Sequence, residues 1–256
     1  MELGGASLEG CGNDGAANVP CHSIQSCCMS LRPLLLGHRG ARAIKTVPEN
    51  TTPSFDLALT HGCDGFEFDV RLTADGQAIV CHDPEVRGIE VARTKAQQLA
   101  GMPGLEEVLI RYQESGFLNI EIKVPKLEKI VSKLLRDHPP RGGFVVSSFL
   151  PEVLCALHLQ SVTLPLGLIC ETHAQLDFWR PLPAAYVFPH YKLVRPQLIR
   201  EIQQTGGQVF VWTVNNPADM RRFVEWGVDG VLSDDTELLV RTLRPEVAGR
   251  MEEKVQ

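Results

Sequence analysis

The sequence predicts an α/β fold: a (β/α)8 TIM barrel with a reduced insertion after the second strand. Three observations carry that expectation. Apolar strand-like runs alternate with capped helix-like runs from Leu34 onward. The strand-like runs make eight units once one closely spaced pair is counted together. No glycine-rich phosphate fingerprint follows the first run, which argues against an open nucleotide-binding sheet. Repeated strand–helix units imply parallel strands joined by right-handed crossovers. A chain of 256 residues suits a barrel, which typically needs roughly 250.

The first strand-like run is LLLGH (34–38). The next, GFEFDVRL (65–72), is followed closely by QAIVCHD (77–83). The link between them, TADG, is a tight-turn sequence with no room for a helix, so the two form one unit with an antiparallel excursion. The remaining runs are LNIEIKV (118–124), GFVVSSF (143–149), LPLGLIC (164–170), AYVFPH (185–190), QVFVWTV (208–214) and DGVLSD (229–234). Helices fit between them. SFDLALTHG and LEEVLIRYQESG stop on Gly62 and Gly116, and RPQLIREIQQTGG also ends on glycine. NPADMRRFVEWG carries an N-cap at Asn216, Pro217 in the first turn and a stop at Gly227.

The expected catalytic domain spans 31–246, with a C-terminal tail at 247–256. Residues 1–30 are Gly/Ala/Asn/Ser-rich, lack periodicity and are read as a disordered extension, with Met29 an alternative start. They contain early acids and no continuous apolar region of a secretory signal. The chain has no apolar run near the roughly 18 residues of a membrane span. Eight cysteines include no CxxC pair, which reads as reduced thiols used as small hydrophobes in a cytoplasmic protein. The formal net charge of −6 argues against a nucleic-acid partner. An acidic chain that handles an anionic substrate must supply positive charge locally.

Barrel enzymes carry their chemistry at C-terminal strand ends. Glu67 and Asp69 lie two apart on one strand and so face the same side, while Phe66, Phe68 and Val70 face the outer helices. Two inward carboxylates repel unless a cation lies between them. A hard divalent cation bound by oxygens fits. Glu121 and Lys123 share a face in NIEIKV. Alone they could equally be a structural ion pair. Beside Glu67 and Asp69 they read as a third ligand and a phosphate-binding ammonium. An all-carboxylate set selects Mg or Ca, with Mn possible, over zinc or copper. His38 and His82 both stand at strand exits and can serve as general acid and base. Arg39 offers a planar donor fork to phosphate oxygens. His190 is expected to line the mouth.

These residues fall in a recognisable series: HRGA, PENTTPSFDLAL, GFEFDVRLTADGQAIVCHD, EIK, VFVWTVN and GVDGVLSDD. Over about Leu34 to Leu243 the chain resembles the glycerophosphodiester phosphodiesterase (GDPD) family. The resemblance implies a (β/α)8 barrel that hydrolyses glycerophosphodiesters to glycerol 3-phosphate and an alcohol. It places His38 and His82 as the catalytic pair and Glu67, Asp69 and Glu121 as ligands of one divalent cation. Arg39 and Lys123 match phosphate contacts, Glu49 matches an acidic site residue, and Trp212 matches an aromatic wall for substrate or a barrel-packing residue. Asn50 is expected to cap the following helix. The stretch DPEVRGIEVARTKAQQLAGMPG departs from the family's longer insertion, and Gly104 replaces a common threonine. That departure bears on which alcohol is accepted. Two other functions remain open at this point: a lysophospholipase D or sphingomyelinase D-like activity on lipid diesters, and a non-catalytic barrel scaffold.

Overall fold

The computed structural model describes residues 32–247. The expectations for residues 1–30, including the start at Met29, and for the tail beyond Val247 lie outside the described residues.

Eight parallel strands close into a barrel. In chain order they are β1 (Leu34–His38), β2 (Gly65–Leu72), β6 (Phe117–Ile122), β7 (Phe144–Ser148), β8 (Leu166–Cys170), β9 (Tyr186–Pro189), β10 (Gln208–Val211) and β11 (Gly230–Ser233). Neighbours in sequence are neighbours in the sheet, and β1 pairs with both β11 and β2, which closes the ring. The TADG excursion is β3 (Ala78–Val80), antiparallel to β2. The short stretch after His82 holds a two-stranded hairpin of β4 (Glu85–Val86) and β5 (Ile89–Glu90), then two 3-10 turns.

Helices α1 (Thr52–Thr60), α2 (Leu105–Arg111), α3 (Glu128–Asp137), α4 (Pro151–Gln160), α5 (His173–Leu176), α6 (Pro196–Gln204), α7 (Pro217–Glu225) and α8 (Thr236–Leu243) follow the strands. Asn216 caps α7 as its sequence predicts, its side-chain oxygen accepting from the amides of Ala218 and Asp219. Asn50 does not cap α1. Thr51 is the N-cap, and it makes no side-chain cap bond.

The two-residue period of the strands separates two layers of packing. Leu35, Phe66, Phe68, Val70, Leu118, Ile120 and Val146 are buried in a cluster with the helices. Phe55 of α1 stacks on Phe66 with ring centroids 4.3 Å apart. The inward set is divided. Leu36, Val145, Ile169, Phe188, Phe210 and Leu232 fill most of the interior. The inward positions of β2 and β6 are instead Glu67, Asp69, Asn119 and Glu121, all buried. Burying whole Leu or Phe side chains at such positions contributes about 1.5–3 kcal/mol each. The chain forgoes that gain on two adjacent strands and puts acids there.

Candidate active site

The acids converge. One carboxylate oxygen from each of Glu67, Asp69 and Glu121 lies within 4.8 Å of the others. β2 and β6 pair in parallel with Asp69 opposite Glu121, which sets this separation. Their environment is short of donors. Glu67 Oε1, Asp69 Oδ1 and Glu121 Oε1 are buried without a hydrogen-bond partner. Lys123 Nζ comes within 2.6 Å of Glu121 Oε1 and 3.3 Å of Asp69 Oδ1. Those contacts are close ion pairs. Buried carboxylates that converge are costly unless a positive charge lies among them, and three within reach of one another suit a hard divalent cation.

The electrostatics agree. Burial, then the like charges of Asp69 and Glu121, push the Glu67 carboxyl well above the usual range. Burial and then Asp69 push Glu121 up to about 7, against the pull of Lys123 and Arg39. Burial acts on Asp69 in the same direction, but Lys123, Arg39 and the Asn50 amide outweigh it and hold that carboxyl low.

The HRG turn supplies the next layer. Arg39 has a left-handed backbone (φ 55°), and Gly40 follows at φ 80° against the backbone of Ser54, where a Cβ would collide. The turn aims Arg39 inward. Its amide donates to Glu67 Oε2 (3.0 Å), its Nε lies 3.2 Å from Asp69 Oδ2, and its Nη1 donates to Glu49 Oε1 (2.7 Å). Glu49 also receives Arg42 Nε at 2.5 Å. Glu49 therefore sits behind the guanidinium groups and does not line the central cavity. Asn50, also left-handed (φ 58°), donates its amide to Asp69 Oδ2 at 2.8 Å, and its own oxygen accepts from the Asp69 amide. The side chain expected to cap a helix is spent on holding Asp69.

His38 is buried, with Nε2 3.8 Å from Glu67 Oε2. Its Nδ1 lies 2.7 Å from Asp234 Oδ1. A carboxylate only accepts, so Nδ1 carries a proton toward Asp234 and Nε2 faces the acids. Asp234 also accepts from Arg42 Nη1 (3.2 Å) and Asn215 Nδ2 (2.7 Å). Burial would raise its carboxyl, but the bond from His38 leads the contacts that hold it far below the usual range. Sequence reasoning did not single out Asp234. The signal was present: it stands two residues past inward-facing Leu232, at the same kind of strand exit that selected His38. Adjacent Asp235 caps α8, accepting from the Leu238 amide, and a pair of acids does not say in advance which one caps.

His82 lies two residues beyond β3, half-buried, with Nδ1 2.7 Å from Asp83 Oδ1. Burial lowers its pKa from the ordinary imidazole value, against the opposing pull of Asp69 and Asp83. The central cavity, about 260 Å3, is lined by His38, Arg39, Glu67, His82, Glu121 and Lys123 on one side and by Phe149, Glu171 and Trp212 on the other. Trp212 thus faces the cavity while packing edge-on to Phe149 (5.6 Å) and donating Nε1–H to the Phe188 carbonyl. His190 is behind it: its ring meets the Trp212 edge at 5.4 Å, and it is absent from the cavity wall, contrary to expectation. It follows β9 immediately, but its ring turns onto the indole.

The barrel and this mouth define the class: an enzyme that cuts phosphoric diesters. Comparison with known proteins gives the family. Residues 38–133 and 93–238 match the glycerophosphoryl diester phosphodiesterase family model. A glycerophosphodiester phosphodiesterase of Caldanaerobacter subterraneus subsp. tengcongensis is 30% identical over 243 residues, which are 84% of this chain and 99% of the relative. One from Bacillus subtilis (strain 168) is 31% identical over 252 residues, 81% and 85% of the two chains. The chain belongs to the glycerophosphoryl diester phosphodiesterase family. Solved structures share the fold. A Thermotoga maritima glycerophosphodiester phosphodiesterase superposes with a TM-score of 0.72 at 24% identity, covering 82% of this chain and 97% of its own. An Oleispira antarctica phosphodiesterase, solved in complex with the product sn-glycerol-3-phosphate, gives 0.73 at 23% identity, covering 83% and 97%.

Proposed function

We propose that this chain hydrolyses glycerophosphodiesters to sn-glycerol 3-phosphate and an alcohol, with one divalent cation, Mg or Ca, held by Glu67, Asp69 and Glu121. The observation that carries the reading is the convergence of three buried carboxylates, one oxygen of each within 4.8 Å of the others, at a cavity also lined by His38, Arg39 and Lys123. The donors are all hard oxygens, which suit Mg, Ca or Mn. Bound there, the cation supplies Lewis-acid stabilisation of charge on the phosphoryl oxygens.

The chain's own residues do the rest. Arg39 and Lys123 neutralise the phosphodiester and the charge that builds on it. The Nε2 of His38, fixed by Asp234, and the ring of His82 share the proton transfers. One removes a proton from the nucleophile, a water or the neighbouring glycerol hydroxyl, and the other protonates the departing alkoxide. Trp212 and Phe149 wall the glycerol side. The relatives named above and the product in the Oleispira structure support this substrate class.

We place the reaction in the cytoplasm, a reducing compartment, because Cys63, Cys81, Cys155 and Cys170 are all free thiols. Among the described residues no helix is long and apolar enough to cross a membrane.

The test is a panel of glycerophosphodiesters and lysophospholipids assayed after chelator treatment, with Mg, Ca and Mn restored singly. Turnover of the water-soluble diesters only with a restored cation is expected. Chelator-insensitive turnover, or a preference for lysophospholipid, contradicts the proposal.

A further inference from the structure

Beside the catalytic mouth lies a second cavity of about 370 Å3, between the exits of β2 and β6 and the β4–β5 insertion. Leu72, Val91 and Val124 form its apolar wall, and Arg71 and Lys126 reach it from opposite sides. Arg71 continues the inward face of β2, two residues above Asp69. Its Nε donates to the His82 carbonyl at 2.7 Å, which ties this cavity to the catalytic histidine. Its two Nη groups make no hydrogen bond among the described residues. Neither Arg71 nor Lys126 joins an ion pair there. The cavity's one acid, Glu90, is already paired with Arg93 at 3.1 Å. Lys126 and the two Nη groups of Arg71 thus meet no carboxylate among the described residues. They leave the cavity short of an anion.

A neighbouring groove is lined by His82 itself. Its acids Glu49 and Asp83 are both committed, to Arg39 and Arg42 and to His82 respectively, while Arg87 there is exposed and unpaired. Glu49, held between two guanidinium groups, has little charge left to attract a cationic head group.

We infer that the Arg71–Lys126 cavity is a subsite for the leaving alcohol, and that it selects alcohols carrying a second phosphate. This rests on the diesterase reading above. With glycerol set against Phe149 and Trp212, as proposed above, the alcohol departs toward His82 and the insertion. There the guanidinium fork of Arg71 and the ammonium of Lys126 meet phosphate oxygens. The insertion that departs from the family pattern contributes Val91 and Glu90 to the wall of this cavity, and the cations come from β2 and the loop after β6.

The experiment compares kcat/KM on three soluble diesters with the cation-loaded enzyme: glycerophosphocholine, glycerophosphoglycerol and a glycerophosphoinositol phosphate. The phosphorylated alcohol is expected to be preferred over the neutral one by about tenfold, the worth of one good charge-assisted contact. Lys126→Asn suits the left-handed backbone at this position (φ 76°). It should reduce the preference to about twofold with the neutral diester unaffected, and Lys126→Glu should reverse it. An equal rate on all three, a preference for choline, or a preference that survives Lys126→Glu overturns the subsite. Failure to hydrolyse any of the three overturns the diesterase reading itself, a separate result.

Discussion

Replacing Asp234 by asparagine separates the roles of metal and imidazole. Asp234 touches no member of the carboxylate trio, yet its oxygen lies 2.7 Å from His38 Nδ1. The amide is nearly isosteric, so the fold should survive. Its NH2 has no good orientation, because Arg42, Asn215 and His38 all point donors at this side chain. At 2.7 Å and an effective dielectric of about 20, an imidazolium gains about 6 kcal/mol from the facing charge. Arg42 already neutralises part of that charge and the pair is partly hydrated, so about 3 kcal/mol is a fair expectation for the loss. That corresponds to a fall in kcat of about 100-fold. Steady-state hydrolysis gives the rate, calorimetric titration gives the cation affinity, and circular dichroism checks the fold. Affinity for the cation should stay within about threefold, since no ligand is lost. A variant within threefold of the parent kcat refutes the role assigned to Asp234. A variant that loses the cation shows that Asp234 acts on the trio instead.

Three further outcomes follow. Glu121 is held at about 7 against an ordinary value near 4.5, so below pH 4.5 both folded and unfolded chains carry its proton. As pH rises toward 7 the unfolded chain releases it first, and the metal-free protein loses stability, on the order of 3 kcal/mol, across that window. Thermal melts of chelated protein at pH 5 and pH 8 should show the loss, and saturating Mg or Ca at pH 8 should reverse it; flat melts would count against the buried acid cluster. Glu121→Gln should abolish most of that pH-dependent loss in the chelated protein while weakening cation affinity at least about 100-fold, measured by calorimetry. Asn50→Ala removes the buried bond to Asp69 and puts a Cβ residue without a local hydrogen bond at φ 58°. A cost of about 2–3 kcal/mol in denaturant melts is expected, with Asn50→Gly recovering only the backbone share.

Much of this site was legible in the chain because strands have a period of two. Glu67 and Asp69 sit between Phe66, Phe68 and Val70, so one face had to be buried against helices and the other had to carry acids inward. Parallel pairing then brought Glu121 opposite Asp69, and the strand-exit rule located His38. The misses have a common origin. Asn50 precedes a helix and has the preferred composition of a cap, but the left-handed turn at Arg39 and Asn50 swings its amide to Asp69. Asp234 is distant from His38 in sequence, and only closure of β11 against β1 joins them. His190 was placed correctly along its strand, but a ring's direction after the exit depends on its neighbour, here Trp212. The cations Arg71 and Lys126 mean little as sequence. They acquire meaning from the carboxylates that are not beside them.

The central claim is that hydrolysis depends on one cation in the Glu67–Asp69–Glu121 cluster. It is tested most directly by titrating Mg or Ca into chelator-stripped protein while following release of sn-glycerol 3-phosphate by phosphorus NMR. The account predicts about one cation bound per chain, with the rate rising in proportion to occupancy and both lost in Glu67→Gln. Full turnover by the stripped protein, or cation binding unchanged by Glu67→Gln, would contradict it.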